Sequence, residues 1–219
     1  MKHEMPKTKA VFLHGSDIEA GNGSQAVFEE KRSSTVIGVA YPADKSRNTT
    51  SCKRALDIAI DCFMDRPSDS DEAMWMIGRF MDDGVCELHE GGEEVSCSPA
   101  MLYIYKGKAR VYPKGYSAVL FFEGEGLANI WYGDGIPAGS GDHTQMSLPE
   151  TLKLGNDCRF VFIAGEDMET VKAAAEYAKE TKGEDTEGMK AYMSDKHIAW
   201  INVFLPERKR EFIGLRGHL

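Results

Sequence analysis

The stretch LPETLKLGNDCRFVFIAGED, residues 148–167, decides the fold. Its centre, Phe160 to Ala164, is an unbroken apolar run of strand length. A Gly and two acids follow it directly. Strands that end this way often deliver a metal-binding carboxylate to the end of a sheet. Glu166–Asp167 also stands just before METVKAAAEYAK, where Asp is among the best N-cap residues and the helix dipole favours negative charge. Position alone therefore leaves two roles open for these acids, and the helix that follows favours the cap.

Outward from this stretch, Val171, Ala174, Ala175 and Ala178 fall on one face of a helix over about 169–182, with Gly183 behind it. EDTEGMKAYM reads as a short helix and IAWINVFLP as the closing strand. Upstream, AMLYIYKG, ARVYP, SAVLFFEG and LANIWYG are joined by short Gly-bearing turns and read as an antiparallel meander. VCELHE and EVSCS flank Gly91–Gly92 and read as a hairpin. Before them lie two amphipathic helices. The first carries Cys52, Ala55, Leu56, Ala59, Ile60 and Phe63 at helical spacing, with Thr49 or Thr50 as its cap. The second is capped by Ser70, buries Ala73, Met74, Ile77 and Met81, and stops near Gly84. Near the N-terminus, AVFLHGS (10–16), QAVFEEK (25–31) and STVIGVAYP (34–42) read as strands, with a turn at EAGNGS. KLGNDCRFVFIAG reads as one strand. Segregated runs of strands and helices indicate α+β rather than alternating βαβ. About nine strands and the helices fit one domain over 1–219, a four-layer αββα sandwich of two antiparallel sheets.

The bulk properties exclude several classes. The formal net charge is −9, so a nucleic-acid partner is disfavoured. No apolar run approaches the roughly 20 residues that span a bilayer, and no export signal is legible, so the expectation is a cytoplasmic protein without a membrane partner. Five cysteines, an odd number, suit reduced thiols.

Several local patterns bear on chemistry. Cys86 and His89 have C-x-x-H spacing with Cys97 nearby, but no second pair completes a zinc set. GDGIPAGSGDH (133–143) offers Asp134, Asp142 and His143 as a possible rim of a site; it lacks the Lys-Ser/Thr of a phosphate loop and reads as a surface loop. No G-x-S-x-G elbow is present.

The segments SPAMLYIYKGKARVYP, KGYSAVLFFEGEG, GDGIPAGSGDH and LKLGNDCRFVFIAG, in that order, resemble the phosphatase domain of stage II sporulation protein E, within the metal-dependent type 2C protein phosphatase superfamily. TVIGVAYPADKS…ALDIAID resembles the strand that ends in Asp-Gly and feeds the first helix. SDKHIAWINVFL resembles the final Asp and its strand. The resemblance covers most of the chain and implies the αββα sandwich. It also implies two Mg²⁺ or Mn²⁺ ions, held by carboxylates at strand ends, that activate a water to attack phosphoserine or phosphothreonine. This chain departs from the pattern at nearly every acid. It has Ser24-Gln25-Ala26 in place of the early Asn/Glu-Asp, Tyr41-Pro42 in place of the first Asp-Gly, and Ala164-Gly165 in place of the second. Asp195 alone matches the last acid. Asp44 and Glu166 or Asp167 would complete a reduced metal set, and Lys45 and Arg47 would receive a phosphate. Two functions follow as expectations. One is a divergent phosphatase that acts on a phosphoprotein. The other is a non-catalytic module that holds a regulatory protein partner.

Overall fold

A computed structural model describes residues 17–21, 24–30, 34–44, 49–89, 94–106, 108–124, 126–141, 150–154 and 157–205. The strands are β1 (Asp17–Gly21), β2 (Ser24–Glu30), β3 (Ser34–Pro42), β4 (Cys97–Tyr105), β5 (Lys108–Pro113), β6 (Ser117–Glu123), β7 (Gly126–Tyr132), β8 (Glu150–Lys153), β9 (Cys158–Ala164) and β10 (Ala199–Leu205). The helices are α1 (Thr50–Asp65), α2 (Asp71–Cys86), α3 (Met168–Glu180) and α4 (Thr186–Asp195). One antiparallel sheet has the order β1-β10-β9-β6-β7 and the other β2-β3-β4-β5-β8.

Three apolar layers hold these elements together. Between the sheets lie Ile37, Leu102, Val111, Val119, Phe160, Phe162, Ile201 and their neighbours, all from strands of both sheets. α1 and α2 cover the β2–β8 sheet through Leu56, Ala59, Phe63, Met74 and Met81, which pack on Val36, Met101 and Tyr103. α3 and α4 cover the other sheet through Val171, Ala174, Ala178, Met189 and Met193, which pack on Leu120, Ile163 and Trp200. Each strand between two layers is apolar on both faces, which explains why β3, β4, β6 and β9 read as continuous hydrophobic runs. This is the expected αββα sandwich, and the described residues form ten of its strands.

The differences lie in local elements. The described part of VCELHE, residues 85–89, forms no strand, and Val85 and Cys86 belong to α2. α2 runs on through Gly84 to Cys86. Gly84 serves close packing, not termination, because a Cβ there would lie 2.1 Å from Cδ1 of Ile58 on α1. Thr49 precedes α1 without a side-chain cap. The turn expected at EAGNGS is partly β1. The single strand expected over KLGNDCRFVFIAG is two strands in different sheets, β8 and β9, and Asp157 between them adopts a left-handed φ of 52°. The strand expected over 10–16 and the Gly91–Gly92 turn lie outside the described residues. No described helix is long and apolar enough to cross a membrane.

Candidate functional site

Strand register gathers one end of the sandwich into a rim. Pro42 at the end of β3 pairs with Cys97 at the start of β4. Ala164 at the end of β9 pairs with Ser117 at the start of β6 and with Ala199 at the start of β10. The sequence positions expected to carry acids therefore converge here. They carry Tyr41, buried to 8 % exposure, and Ala164 at 0 %, and both belong to the inter-sheet apolar layer with Ala199.

The polar groups at this end serve other purposes. Asp134 accepts from the backbone N–H of Gly115 at 3.0 Å and of Ile136 at 3.0 Å, and from Lys114 Nζ at 3.1 Å. The Lys114 side chain is only 4 % exposed and that of Asp134 12 %. This buried pair ties the β5–β6 turn to the loop after β7, so Asp134 holds a loop in place. Asp142 and His143 of the same loop lie outside the described residues. Ser117 Oγ accepts from Lys114 N at 2.9 Å and donates to the Pro99 carbonyl at 3.0 Å. Ser98 Oγ accepts from Tyr116 N at 2.9 Å. Asp82, buried on α2, accepts from Gly139 N at 2.6 Å and fastens the same loop to the helix.

The expected site residues are dispersed by the elements they sit on. Asp44 follows β3 and accepts from Ser96 N at 3.1 Å, which joins the exit of β3 to the entry of β4. Asp167 is the N-cap of α3. Its Oδ1 accepts from Thr170 N at 2.7 Å and its Oδ2 from Thr170 Oγ1 at 3.0 Å, so both oxygens are engaged. Glu166 is exposed beside it. Asp195 is the last residue of α4, with a side chain 78 % exposed and Lys196 Nζ at 3.8 Å. Lys45 and Arg47 lie outside the described residues. Among the described residues, no three His, Cys, Asp or Glu side chains come close enough to hold a metal ion.

The C-x-x-H set is likewise separated. His89 Nε2 donates to the Val95 carbonyl at 3.0 Å. The buried Cys97 thiol donates to the Ser51 carbonyl at 3.6 Å. Its pKa is pushed well above the usual thiol range, first by its hydrogen bond with Cys52 and then by burial. Burial is also the leading cause that raises Cys86 and Cys62. None of the three is poised as a thiolate nucleophile at neutral pH.

Sequence reasoning missed Asp82 and Lys114. Asp82 had a signal, since it falls on the buried stripe of α2 four residues after Gly78 and one after Met81. Lys114 had none, because only the tertiary position of Asp134 gives it a partner.

No family model and no curated protein matches the sequence. Solved structures do match. The serine/threonine phosphatase of S. agalactiae superposes with a TM-score of 0.63 at 9 % identity, over 88 % of this chain and 100 % of that one. The catalytic domain of the serine/threonine phosphatase PstP, in complex with two manganese ions, gives 0.59 at 10 %, over 86 % and 96 %. The phosphatase domain of SpoIIE from Bacillus subtilis, with a fragment of its regulatory domain, gives 0.60 at 7 %, over 86 % and 62 %. At such identities the likeness establishes the fold, and this chain has the type 2C phosphatase fold. Chemistry has to be argued from this chain's own residues.

Proposed function

We propose that this chain, as one domain over 1–219, is a phosphatase-like module that keeps the type 2C sandwich, has lost its dinuclear metal chemistry, and acts by holding a regulatory protein partner in the cytoplasm. A single observation carries the reading. The strand ends where the resemblance puts metal-binding acids hold Tyr41 and Ala164, both buried among apolar side chains.

Electrostatics supplies the reason. Hard dications take six or more oxygen ligands, and two of them side by side need several carboxylates to offset their repulsion. Tyr41 and Ala164 supply no such charge, and an ion uncompensated beside them would bear a large desolvation cost. The acids that remain are spent elsewhere. Asp167 caps α3 with both oxygens, Asp44 binds the backbone at Ser96, and Asp195 is solvated at the end of α4. The residues present therefore do not fit a pair of Mg²⁺ or Mn²⁺ ions. Five free thiols suit a reducing compartment, and a charge of −9 argues for a protein partner over a nucleic acid.

Titration with Mn²⁺ by calorimetry, together with hydrolysis of p-nitrophenyl phosphate, tests this. The expected result is no saturable binding of two ions and turnover at background. Mn²⁺-dependent turnover that is lost in Asp195→Ala and in Asp167→Ala, with both variants folded, would establish the enzyme reading instead. Lys45 and Arg47 would then be the next residues to test as phosphate ligands.

A further inference from the structure

At the end of the sandwich opposite the rim, three side chains stand in a row across one sheet. Phe122 on β6 pairs with Arg159 on β9, and Arg159 pairs with Phe204 on β10. They share the outer face of the sheet, because the strand neighbours Phe121, Cys158, Phe160, Val203 and Leu205 belong to the inter-sheet layer. A cavity of about 300 Å³ opens on this row, and Gly124, Asp157, Lys182 and Glu184 complete its wall.

The wall is built from strained turns. The turn after β6, the segment before β9 and the turn after α3 meet there. Each contributes left-handed backbone: Gly124 at φ 59°, Asp157 at 52°, Lys182 at 53° and Gly183 at 62°. One such residue, usually glycine, is enough to end a helix, so Lys182 ahead of Gly183 is additional strain for a side chain with a Cβ. Gly183 is required by close approach. A Cβ there would lie 2.9 Å from Val161 Cγ2 and 3.1 Å from Arg159 Cδ. Gly124 N donates to the Asp157 carbonyl at 3.2 Å and ties two of the three segments together. Strained backbone of this kind gathers at ligand sites.

Arg159 is placed to receive a carboxylate. Its side chain is only 21 % exposed, and its guanidinium carbon lies 5.6 Å from the Phe204 ring centroid, so the aromatic face holds it. Nη1 donates to the Lys182 carbonyl at 3.0 Å and stands 3.5 Å from Oε1 of Glu184, a largely solvated acid. Nε and Nη2 bond to none of the described residues. That edge carries the parallel pair of donors that grips a carboxylate with two hydrogen bonds. Charge narrows the ligand further. Arg159 and Lys182 face Asp157 and Glu184, so the formal charges of the wall cancel. A neutral wall suits a single negative charge and not a polyphosphate. The Phe122 and Phe204 rings offer apolar surface to the rest of the molecule, and the volume suits a small one. We infer that this cavity binds a small monocarboxylate with a flat apolar body. The carboxylate lies on the Nε–Nη2 edge of Arg159 near the Lys182 ammonium, and the body lies against Phe122 and Phe204. The inference is independent of whether the fold retains activity at the rim.

Titration of the full chain with benzoate, followed through amide NMR shifts, tests the site. The expected result is saturable shifts at Gly124, Asp157 and Lys182, with a dissociation constant on the order of 1 mM. Benzylamine carries the same ring with the opposite charge, and inorganic phosphate is an anion without the ring. Each is expected to bind at least about tenfold more weakly than benzoate. Arg159→Lys keeps the charge but loses the paired donors, and is expected to weaken benzoate at least about tenfold. Lys182→Gly removes the second cation and suits the left-handed backbone, so it keeps the fold by circular dichroism and weakens benzoate about threefold. No saturable shift with benzoate, shifts confined to the rim, equal binding of benzylamine or phosphate, or benzoate binding indifferent to both substitutions would overturn the inference.

Discussion

Val39 and Tyr41 sit two residues apart on one face of β3, in the same inter-sheet layer. Around Val39 the layer is filled by strand residues from both sheets, including Leu102, Phe160 and Phe162, all at 0 % exposure. Around Tyr41 the layer meets the rim, where loops are held by Lys114–Asp134, Asp82–Gly139 and Asp44–Ser96. The interior follows the pattern that any αββα sandwich needs, whatever its chemistry. The described polar groups of the rim make structural contacts, loop to loop and loop to helix. Interior packing and rim contacts thus occupy separate parts of the same strands.

The sharpest way to probe the interior is Phe160→Ala. Phe160 is fully buried and stacks on Phe121 at 4.8 Å. Truncation is expected to cost about 3–5 kcal/mol in chemical denaturation, since it removes an aromatic ring from a layer closed on both sides. A loss under about 1 kcal/mol would mean that the two sheets are not packed as described.

The rim answers to charge rather than volume, so Asp134→Asn is its counterpart. The amide keeps an oxygen for Gly115 and Ile136 but removes the charge that faces Lys114 Nζ. An ammonium only 4 % exposed is then left uncompensated. The expected cost is about 2–3 kcal/mol, below the full range for a deeply buried pair because Asp134 retains some solvent. Adding Lys114→Met is expected to recover at least half of that loss, as replacement of a whole buried pair costs less than breaking it. Additive losses in the two variants would show that the ion pair does not organise the loop.

The interior was legible in the sequence because its signals are local and redundant. FVFIA, MLYIY and AVLFF each show a buried strand, and Ala55, Leu56, Ala59 and Phe63 show their helix face without any tertiary knowledge. Element ends were less legible. Gly84 looks like a terminator in isolation, and only the approach of Ile58 reveals its packing role. The break between β8 and β9 depends on which sheet each half joins, which residue composition does not encode. The rim was legible only as absence. The resemblance pointed to Tyr41-Pro42 and Ala164-Gly165 as positions without an acid, but the partner of Lys114 and the bond from Gly139 to Asp82 are long-range contacts with no sequence spacing of their own.

Asp167 is where interior and rim meet, since it follows the end of β9 and begins α3. As a cap it has a definite energetic signature. It takes an extended conformation, φ −153° and ψ 164°, and satisfies the Thr170 N–H that α3 itself leaves unpaired. Asp167→Ala is expected to destabilise the fold by about 1 kcal/mol, and Asp167→Ser by only a few tenths, because a serine oxygen also caps. A metal ligand would respond differently. Serine would then be as damaging as alanine to Mn²⁺ binding, while stability without metal would be unchanged in both. Denaturation of the three proteins with and without Mn²⁺ separates the two roles. A stability order of Asp167, then Ser, then Ala that is indifferent to Mn²⁺ identifies a cap, and with it a strand end that delivers the start of a helix rather than a catalytic carboxylate.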